Sequence, residues 1–398
     1  LAFHWARELC RKYNKQSDKP SKSISKVRTA GEVEKAAKAD PRLAVTEEFW
    51  NPDQWLLATP AGTVDLSTGT LRAARPDDHI TLRTRVGPEP GRAELWLAFL
   101  KQATGGNKDL HRFLRQIAGY CLTGVTREHA LFFLYGHGGN GKGVFVNTLM
   151  AIMDEYATAA PMSTFTAARF DQHPTDLADL AGARLVSASE TEEGRAWAEA
   201  RIKQMTGGDP IKARFMRQDF FQYQPQFKLV FLGNHKPVLA NVDDAARRRF
   251  NIIPFTYKPP KPDLQLEEKL KAEHGRILQW MIDGCLDWQK NGLVRPDIVA
   301  AATEEYFSDQ DLFSHWLEEC TETTHPSYGD STTNLFNSWK QYAERAGDMP
   351  GRRTDFIDSM RSNEYVYKQF VDNVRTSGFL QIRVKVEESQ HWQESHEK

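Results

Sequence analysis

Three things are scarce in this chain of 398 residues: cysteine, uncompensated charge and long apolar runs. The four cysteines, Cys10, Cys121, Cys285 and Cys320, lie far apart and form no Cys-x-x-Cys pair. That argues against a zinc site or a disulfide framework and makes a reducing compartment the default. The 52 basic and 53 acidic side chains leave a net charge of −1. Global charge therefore does not announce nucleic acid, and any such binding has to come from local basic loops. No stretch of about 18 consecutive apolar residues occurs, so no membrane contact is expected. The start, LAFHWARELCRKYNK, reads as an amphipathic helix without the small-residue cleavage site of a secretory signal. No internal repeat is found. A first residue of Leu1 instead of Met leads us to expect a fragment or processed product, with something upstream missing.

What is present is ordinary for a soluble globular protein, 40% hydrophobic and 26% charged residues. At roughly 100–200 residues per domain, two or three domains are expected. Residues 1–40 read as helix, polar linker and helix. Residues 41–90 are turn-rich, and WLLATPAGTVDLSTGTLR has the alternation and punctuation of a small β element. Residues 94–128 return to apolar spacings of three and four. Together 1–128 form an N-terminal helical and mixed collar. From 129 to 262 short apolar runs alternate with helical stretches: HALFFLYG, RLVSASE and FKLVFLGN, then NIIPF. Such runs, apolar on both faces, predict a parallel α/β sheet. Residues 263–310 are read as a helical extension. Residues 311–398 are read as a small α+β domain, with a winged helix as one form, ending in the polar tail EESQHWQESHEK, expected to be disordered.

Directly after the first buried run comes Gly136-His137-Gly138-Gly139-Asn140-Gly141-Lys142-Gly143, followed by Val144 and an apolar helix. This is the GxxxxGK pattern between a strand and a helix, the context that a phosphate-binding loop requires. Glycines let the backbone wrap an anion, successive N–H groups and the helix N-terminus point at it, and Lys142 adds a full charge at the β- and γ-phosphates of ATP. One position departs from the pattern. The residue after the lysine is normally Ser or Thr, whose hydroxyl ligates Mg²⁺; here it is Gly143. Either water fills that position or carboxylates hold the Mg²⁺, and hydrolysis could be weaker for it.

The second run ends at Glu190, with Glu192 and Glu193 close behind. A carboxylate at the C-terminal end of a strand, in the sheet that carries the phosphate loop, is placed to bind the metal or activate water. Glu190 is assigned that role with Glu192 as its partner; the bland alternative is a solvated acidic turn. The third run ends at Asn234, where a polar side chain can touch the γ-phosphate or orient water, although Asn is also a common turn residue. Next come Arg247, Arg248 and Arg249 ahead of NIIPF. Three such residues cannot all be buried unpaired. They are either a solvated basic turn or the source of an arginine finger, Arg248 or Arg249, aimed at a neighbour's ATP.

Between the acids and Asn234, IKARFM and FFQYQP read as a hairpin with RQD at its tip. Lys212, Arg214 and Arg217 are interleaved with Phe215, Phe220, Phe221 and Tyr223. Cations that follow phosphates and rings that stack on bases suit single-stranded DNA. Core aromatics with solvent-facing cations would read the same way.

In this order the motifs GHGGNGKGVF, ASETEEGRAWAEARIKQMTGGDPIKARF, FKLVFLGNHKP and DDAARRRFNIIPF resemble the superfamily 3 helicases, specifically the phage and plasmid primase-helicase family related to the poxvirus helicase-primase. The resemblance covers residues 50–310. It implies an AAA+ type ATPase core with a parallel sheet, preceded by a helical domain, assembling as a hexameric ring round single-stranded DNA. Lys142, Glu190 and Asn234 would come from one subunit and Arg248 or Arg249 from the next. The 206–225 segment would grip the strand, with translocation 3′ to 5′. It also implies a primase domain or other replication proteins as partners, and the cytoplasm of a bacterial host carrying a phage or mobile element. A replicative DNA helicase is thus expected. The alternatives are a nucleotide-gated DNA-binding or loading ring that hydrolyses ATP weakly, or an RNA-unwinding or packaging motor.

Overall fold

The computed structural model describes residues 2–41, 45–46, 49–167, 175–189, 196–239, 244–325, 328–346, 350–371 and 375–385. Helices α1 (Ala2–Gln16) and α2 (Val27–Ala39) pack on each other and bury Ala6, Cys10 and Ala30. A three-stranded antiparallel meander follows, β1 (Leu56–Thr59), β2 (Gly62–Asp65) and β3 (Thr70–Arg72). Then come α3 (Glu94–Ala103) and α4 (Lys108–Leu122). The Asn107 side chain caps α4 by accepting from the Leu110 N–H at 2.9 Å.

The centre is a five-stranded, wholly parallel sheet. Its strands are β4 (Leu131–Tyr135), β5 (Ala157–Ala159), β6 (Leu185–Ser189), β9 (Lys228–Gly233) and β10 (Phe250–Pro254), in the order β10-β4-β9-β6-β5. Between them lie α5 (Lys142–Met153), α6 (Thr175–Ala178), α7 (Glu199–Gly207), the hairpin β7 (Ile211–Ala213) and β8 (Phe221–Tyr223), and α8 (Asp244–Arg249). Side chains alternate between the two faces. Phe132, Leu134, Val230 and Ile253 join one core; Leu131, Phe133, Leu229, Phe231 and Ile252 join the other. The first core also takes Leu57, Trp96, Phe113 and Ile117, so the meander, α3 and α4 share one apolar interior with the sheet.

After β10 come α9 (Leu266–Leu270), α10 (His274–Asn291) and α11 (Asp297–Gln310). α11 covers the open edge of β10, where the Ile252 N–H donates to Thr303 Oγ1 at 3.0 Å. α10 crosses α4 at a point where two glycines face backbone. A Cβ on Gly119 would lie 2.0 Å from the Cys285 nitrogen, and one on Gly284 would lie 2.1 Å from the Arg115 oxygen. Beside this crossing Arg112 donates twice to Asp287, at 2.8 and 2.7 Å. Two buried cations from the starts of β6 and β9 secure the end of α4. Arg184 donates to Leu122 O at 2.7 Å, and Lys228 donates to Thr123 O. Positive charge at carbonyls that a helix C-terminus leaves without partners is favourable.

The remaining elements are α12 (Leu312–Cys320), β11 (Thr321–Thr323), β12 (Gly329–Ser331), α13 (Thr332–Arg345), α14 (Arg353–Ser362), β13 (Tyr367–Val371), β14 (Arg375–Leu380) and β15 (Ile382–Val384). They have their own core of Trp316, Leu335, Trp339, Phe356, Met360 and Phe379. The sequence α12, β12, α13, α14 and the hairpin β13–β14, with β12 paired to β14, is that of a winged helix. The polar tail from residue 387 lies outside the described residues. Among the described residues no helix is long and apolar enough to cross a membrane.

Candidate nucleotide site and the opposite edge of the sheet

β4 ends at Tyr135 and α5 starts at Lys142, with the glycine loop between them. Gly136, Gly139 and Gly141 have φ of 148, 82 and 89°, values an L side chain rarely takes. Neighbours close off two of them as well. A Cβ on Gly136 would lie 2.1 Å from Phe255 O, and one on Gly141 would lie 2.7 Å from the Phe99 ring. The loop is therefore clamped between the end of β10 and helix α3. Asn140, which is buried, donates its side-chain amide to Phe255 O and holds the turn. Gly138 has open space around it, as a ligand-facing position needs.

The Lys142 ammonium folds back over this loop. It donates to Gly136 O, to His137 O at 3.3 Å and to Asn234 Oδ1 at 3.2 Å. Burial pushes its pKa below the ordinary lysine value. None of these three oxygens carries a formal charge, so an anion would be the stronger partner. Asn234 is exposed just beyond Gly233, the last residue of β9, and β9 is the strand next to β4. Of the expected site residues, the structure thus brings together the glycine loop, Lys142 and Asn234. Glu190 and Glu192, like Glu193, lie outside the described residues; the last described residue of β6, Ser189, pairs with Leu232. Among the described residues no group of three or more His, Cys, Asp or Glu is arranged to hold a metal.

Gly143 is exposed, and a Cβ built on it meets only Asn147 Nδ2, at 3.9 Å. Steric crowding does not enforce the missing hydroxyl. Val144 follows on the first turn of α5, half-buried.

The arginines occupy the other edge of the sheet. α8 runs directly into Phe250, which pairs with Leu131, the first residue of β4; Lys142 lies beyond the last, Tyr135. Five strand residues at ~3.3 Å each separate the two edges by about 16 Å. Arg247 pairs with Glu304 at 2.8 Å and sits over the Phe307 ring. Arg249 is half-buried and donates to Thr206 Oγ1 at 3.2 Å and to Ala245 O at 2.8 Å. Arg248 is exposed, and its Nε donates to Asp244 O of its own helix at 3.1 Å.

The hairpin starts and ends at this same edge. α7 ends at Gly207, where Thr206 meets both Arg249 and His129, whose Nδ1 donates to Thr206 O at 3.0 Å. The chain then enters β7, turns and returns through residues 224–227 to the start of β9. Ile211 and Ala213 are buried at the base. The tip is not: Phe215, Met216, Arg217 and Phe220 are exposed. Lys212 and Arg214 each lie 4.8 Å from the centroid of the Phe220 ring, and Phe215 stacks on Phe221 at 5.5 Å. Tyr223 is tied inward, donating to Leu177 O at 2.6 Å. The choice that the sequence left open resolves toward aromatics displayed with the cations. The regular strands are three residues each, shorter than the six-residue runs expected.

Sequence reasoning missed the neighbours of the loop. Phe99 and Ala103 on α3 read as ordinary core positions, yet both approach Gly141. Tyr257 and Lys258 follow β10 in a proline-rich stretch that the sequence reading did not single out, and Lys258 Cε is 3.4 Å from where a Cβ on Gly139 would be. The only signal was that this stretch follows a buried strand adjacent to the loop.

Residues 1–105 match a family model described as D5 N terminal like, and residues 134–249 match one described as a family of unknown function, DUF5906. The chain is 25% identical over 317 residues to a protein of Acanthamoeba polyphaga mimivirus named as a putative helicase, covering 73% of this chain and 33% of that protein. It is 27% identical to a protein of Invertebrate iridescent virus 6, likewise named, over 54% of this chain and 24% of that one. A third, from Frog virus 3, is 24% identical over 52% of this chain and 24% of its own length. The chain thus spans a quarter to a third of the length of these relatives. Among solved structures, the NrS-1 C terminal region overlays with a TM-score of 0.45 at 12% identity, covering 75% of this chain and 78% of that one. Through the D5 N terminal like region and these three relatives, the chain is similar to viral proteins named as putative helicases.

Proposed function

We propose that this chain is the motor of an ATP-dependent DNA helicase of the superfamily 3, AAA+ type, acting as a ring, the hexamer being the form the family resemblance implies. One observation carries the reading. Lys142 and Asn234 lie together at one edge of the sheet, while Arg248, Arg249 and the basic aromatic hairpin lie at the other. Arginines about 16 Å away along the strands do not reach their own chain's nucleotide. A neighbouring chain's site is what they can serve, and such a head-to-tail contact, repeated, gives a ring where the rotation closes.

In this reading the N–H groups from Gly138 to Val144 bind the phosphates and Lys142 neutralises the β- and γ-oxygens. Asn234 orients the attacking water or holds the γ-phosphate. Glu190, with Glu192, would hold Mg²⁺ and take the water-activating role. When bound, Mg²⁺ would supply charge neutralisation at the phosphates. Gly143 has no hydroxyl to offer it, which would leave that role to the carboxylates. Arg248 of the adjacent subunit stabilises the charge that develops in phosphoryl transfer. Lys212, Arg214 and Arg217 follow the phosphates of single-stranded DNA while Phe220 and Phe215 offer faces to bases. A primase domain and other replication proteins fit as partners of the longer relatives.

The test is ATP turnover with and without single-stranded DNA. A helicase motor gives stimulation that disappears in Lys142→Ala. Gly143 favours one competing reading, a nucleotide-gated ring, which would bind ATP yet show little turnover with or without DNA.

A further inference from the structure

Beside the glycine loop opens a cavity of about 1100 Å³. One wall is helix α3, through Phe99 and Ala103; another is the loop and first turn of α5, through Gly141 and Val144; the third is the segment after β10, through Tyr257 and Leu266. Its surface is mainly apolar, with Gln102 and Asp263 as polar groups on the walls and Lys101 and Lys261 as cations. The walls are held in place. The Phe99 ring closes on Gly141, Asn147 on α5 donates to Glu267 Oε1 at 3.1 Å, and Glu273, just before α10, accepts from the first-turn N–H groups of α3 at 3.2 and 3.0 Å.

A triphosphate seated on the loop must send its sugar and base away from Lys142 on one side. Val144 is two residues past that lysine and lines this cavity. The cavity has ample room for a nucleoside, and a mainly apolar wall with a few convergent polar groups is the usual form of such a site. Tyr257 is an aromatic face, 38% exposed, with no ring stacked on it among the described residues. Base–aromatic stacking is a main source of affinity for nucleobases.

We propose that this cavity is the purine-nucleoside pocket of the ATP site, with the Tyr257 ring stacking on the base and Phe99 and Ala103 of α3 forming its floor. The inference rests on the phosphate-loop reading above and extends it to the base. It makes the nucleotide a bridge between three parts of the chain: the collar helix α3, the α5 turn and the 257–266 segment. The base is then recognised partly by residues that precede the ATPase sheet.

Calorimetric titration of the whole chain with ATP and with inorganic tripolyphosphate, each with Mg²⁺, tests it. Wild type should bind ATP clearly more tightly than tripolyphosphate. Tyr257→Ala should weaken ATP ~10-fold, in line with the loss of one stacked base, and leave tripolyphosphate unchanged. Ala98→Trp, at an exposed α3 position lining the cavity, should block ATP in the same selective way; unchanged tripolyphosphate binding shows that each variant is folded. Lys142→Ala should weaken both ligands. The proposal is overturned if wild type binds the two ligands equally, or if both cavity variants bind ATP like wild type. If wild type binds neither ligand, the phosphate-loop reading falls and this one falls with it.

Discussion

The Lys142 ammonium lies 3.2 Å from the Asn234 side-chain oxygen, although 92 residues separate them in sequence. Parallel pairing of β4 with β9 produces the contact: the loop after one strand and the residue after the other emerge side by side. A γ-phosphate at this point would meet both groups. Asn234→Ala should therefore keep most nucleotide affinity and lose turnover, by roughly 10²-fold if Asn234 orients the attacking water as a positioned donor does. Lys142→Ala should lose binding itself. Equal losses of binding in the two variants would remove the distinction.

Gly143 has room for a side chain. Gly143→Ser should fold with an unchanged Tm, because the position is exposed and a Cβ meets no atom closer than 3.9 Å. It restores the hydroxyl that the phosphate-loop pattern normally offers to Mg²⁺. Turnover at limiting Mg²⁺ should rise. No change, or a fall, would mean that the metal is held without any need for that ligand.

Arg248 and Arg249 should separate by phenotype. Arg249 bonds to Thr206 and Ala245, so Arg249→Ala should lower stability by about 1 kcal/mol as well as impairing turnover. Arg248 is exposed, so Arg248→Ala should lose turnover with its Tm intact. Mixing Lys142→Ala and Arg248→Ala chains should recover part of the activity, since some interfaces then pair an intact loop with an intact arginine. Failure of the mixture to recover any activity would count against a finger supplied by the neighbour.

The exposed hairpin predicts a change in salt response. Replacing Arg214 or Arg217 should reduce the slope of log affinity for single-stranded DNA against log salt by about one for each phosphate left without its cation. Phe220→Ala should weaken binding with little effect on that slope, because stacking is not ionic. The same slope in every variant would place the DNA elsewhere.

Asp287 gives a pH prediction. Hydrogen bonds from Arg112, with help from Asn291, hold its carboxyl at about 2, below the ordinary 3.8. A depressed carboxylate contributes stability above its unfolded value and loses it as protonation completes near the folded one. Wild type should therefore lose stability between pH 4 and 2 more steeply than Asp287→Asn. At pH 7 the variant should be less stable by about 1–2 kcal/mol, through the broken Arg112 pair. Parallel acid curves for the two proteins would contradict the assignment.

Much of the central sheet could be read directly from the residues. Leu131–Tyr135, Leu185–Ser189, Lys228–Gly233 and Phe250–Pro254 are dense apolar runs because both faces of the sheet are covered. The edge strand β5 could not be read: Ala157–Ala159 is three small residues with no apolar pattern. The hairpin was expected but not the exposure of its rings, since Phe215 and Phe220 look the same in sequence whether buried or displayed. Phe99 read as core and is core, yet it also shapes the glycine loop. Periodicity shows that a helix face is buried and cannot show against what. Nor could it show that residues 57–122 share an interior with the sheet, which depends on contacts far apart in the chain.

The crossing of α4 and α10 sets practical terms for dissecting the protein. Gly119 and Gly284 leave no space for even one methyl group between the two helices. An expression clone begun at residue 129 would strip α10 of the partner against which it is closely fitted, would leave Arg184 a buried cation without its Leu122 and Leu56 carbonyls, and would leave Lys228 only that of Gln226. Such a truncation should be insoluble or proteolysed, so biochemistry on the sheet and its glycine loop has to retain the chain from at least the meander onward.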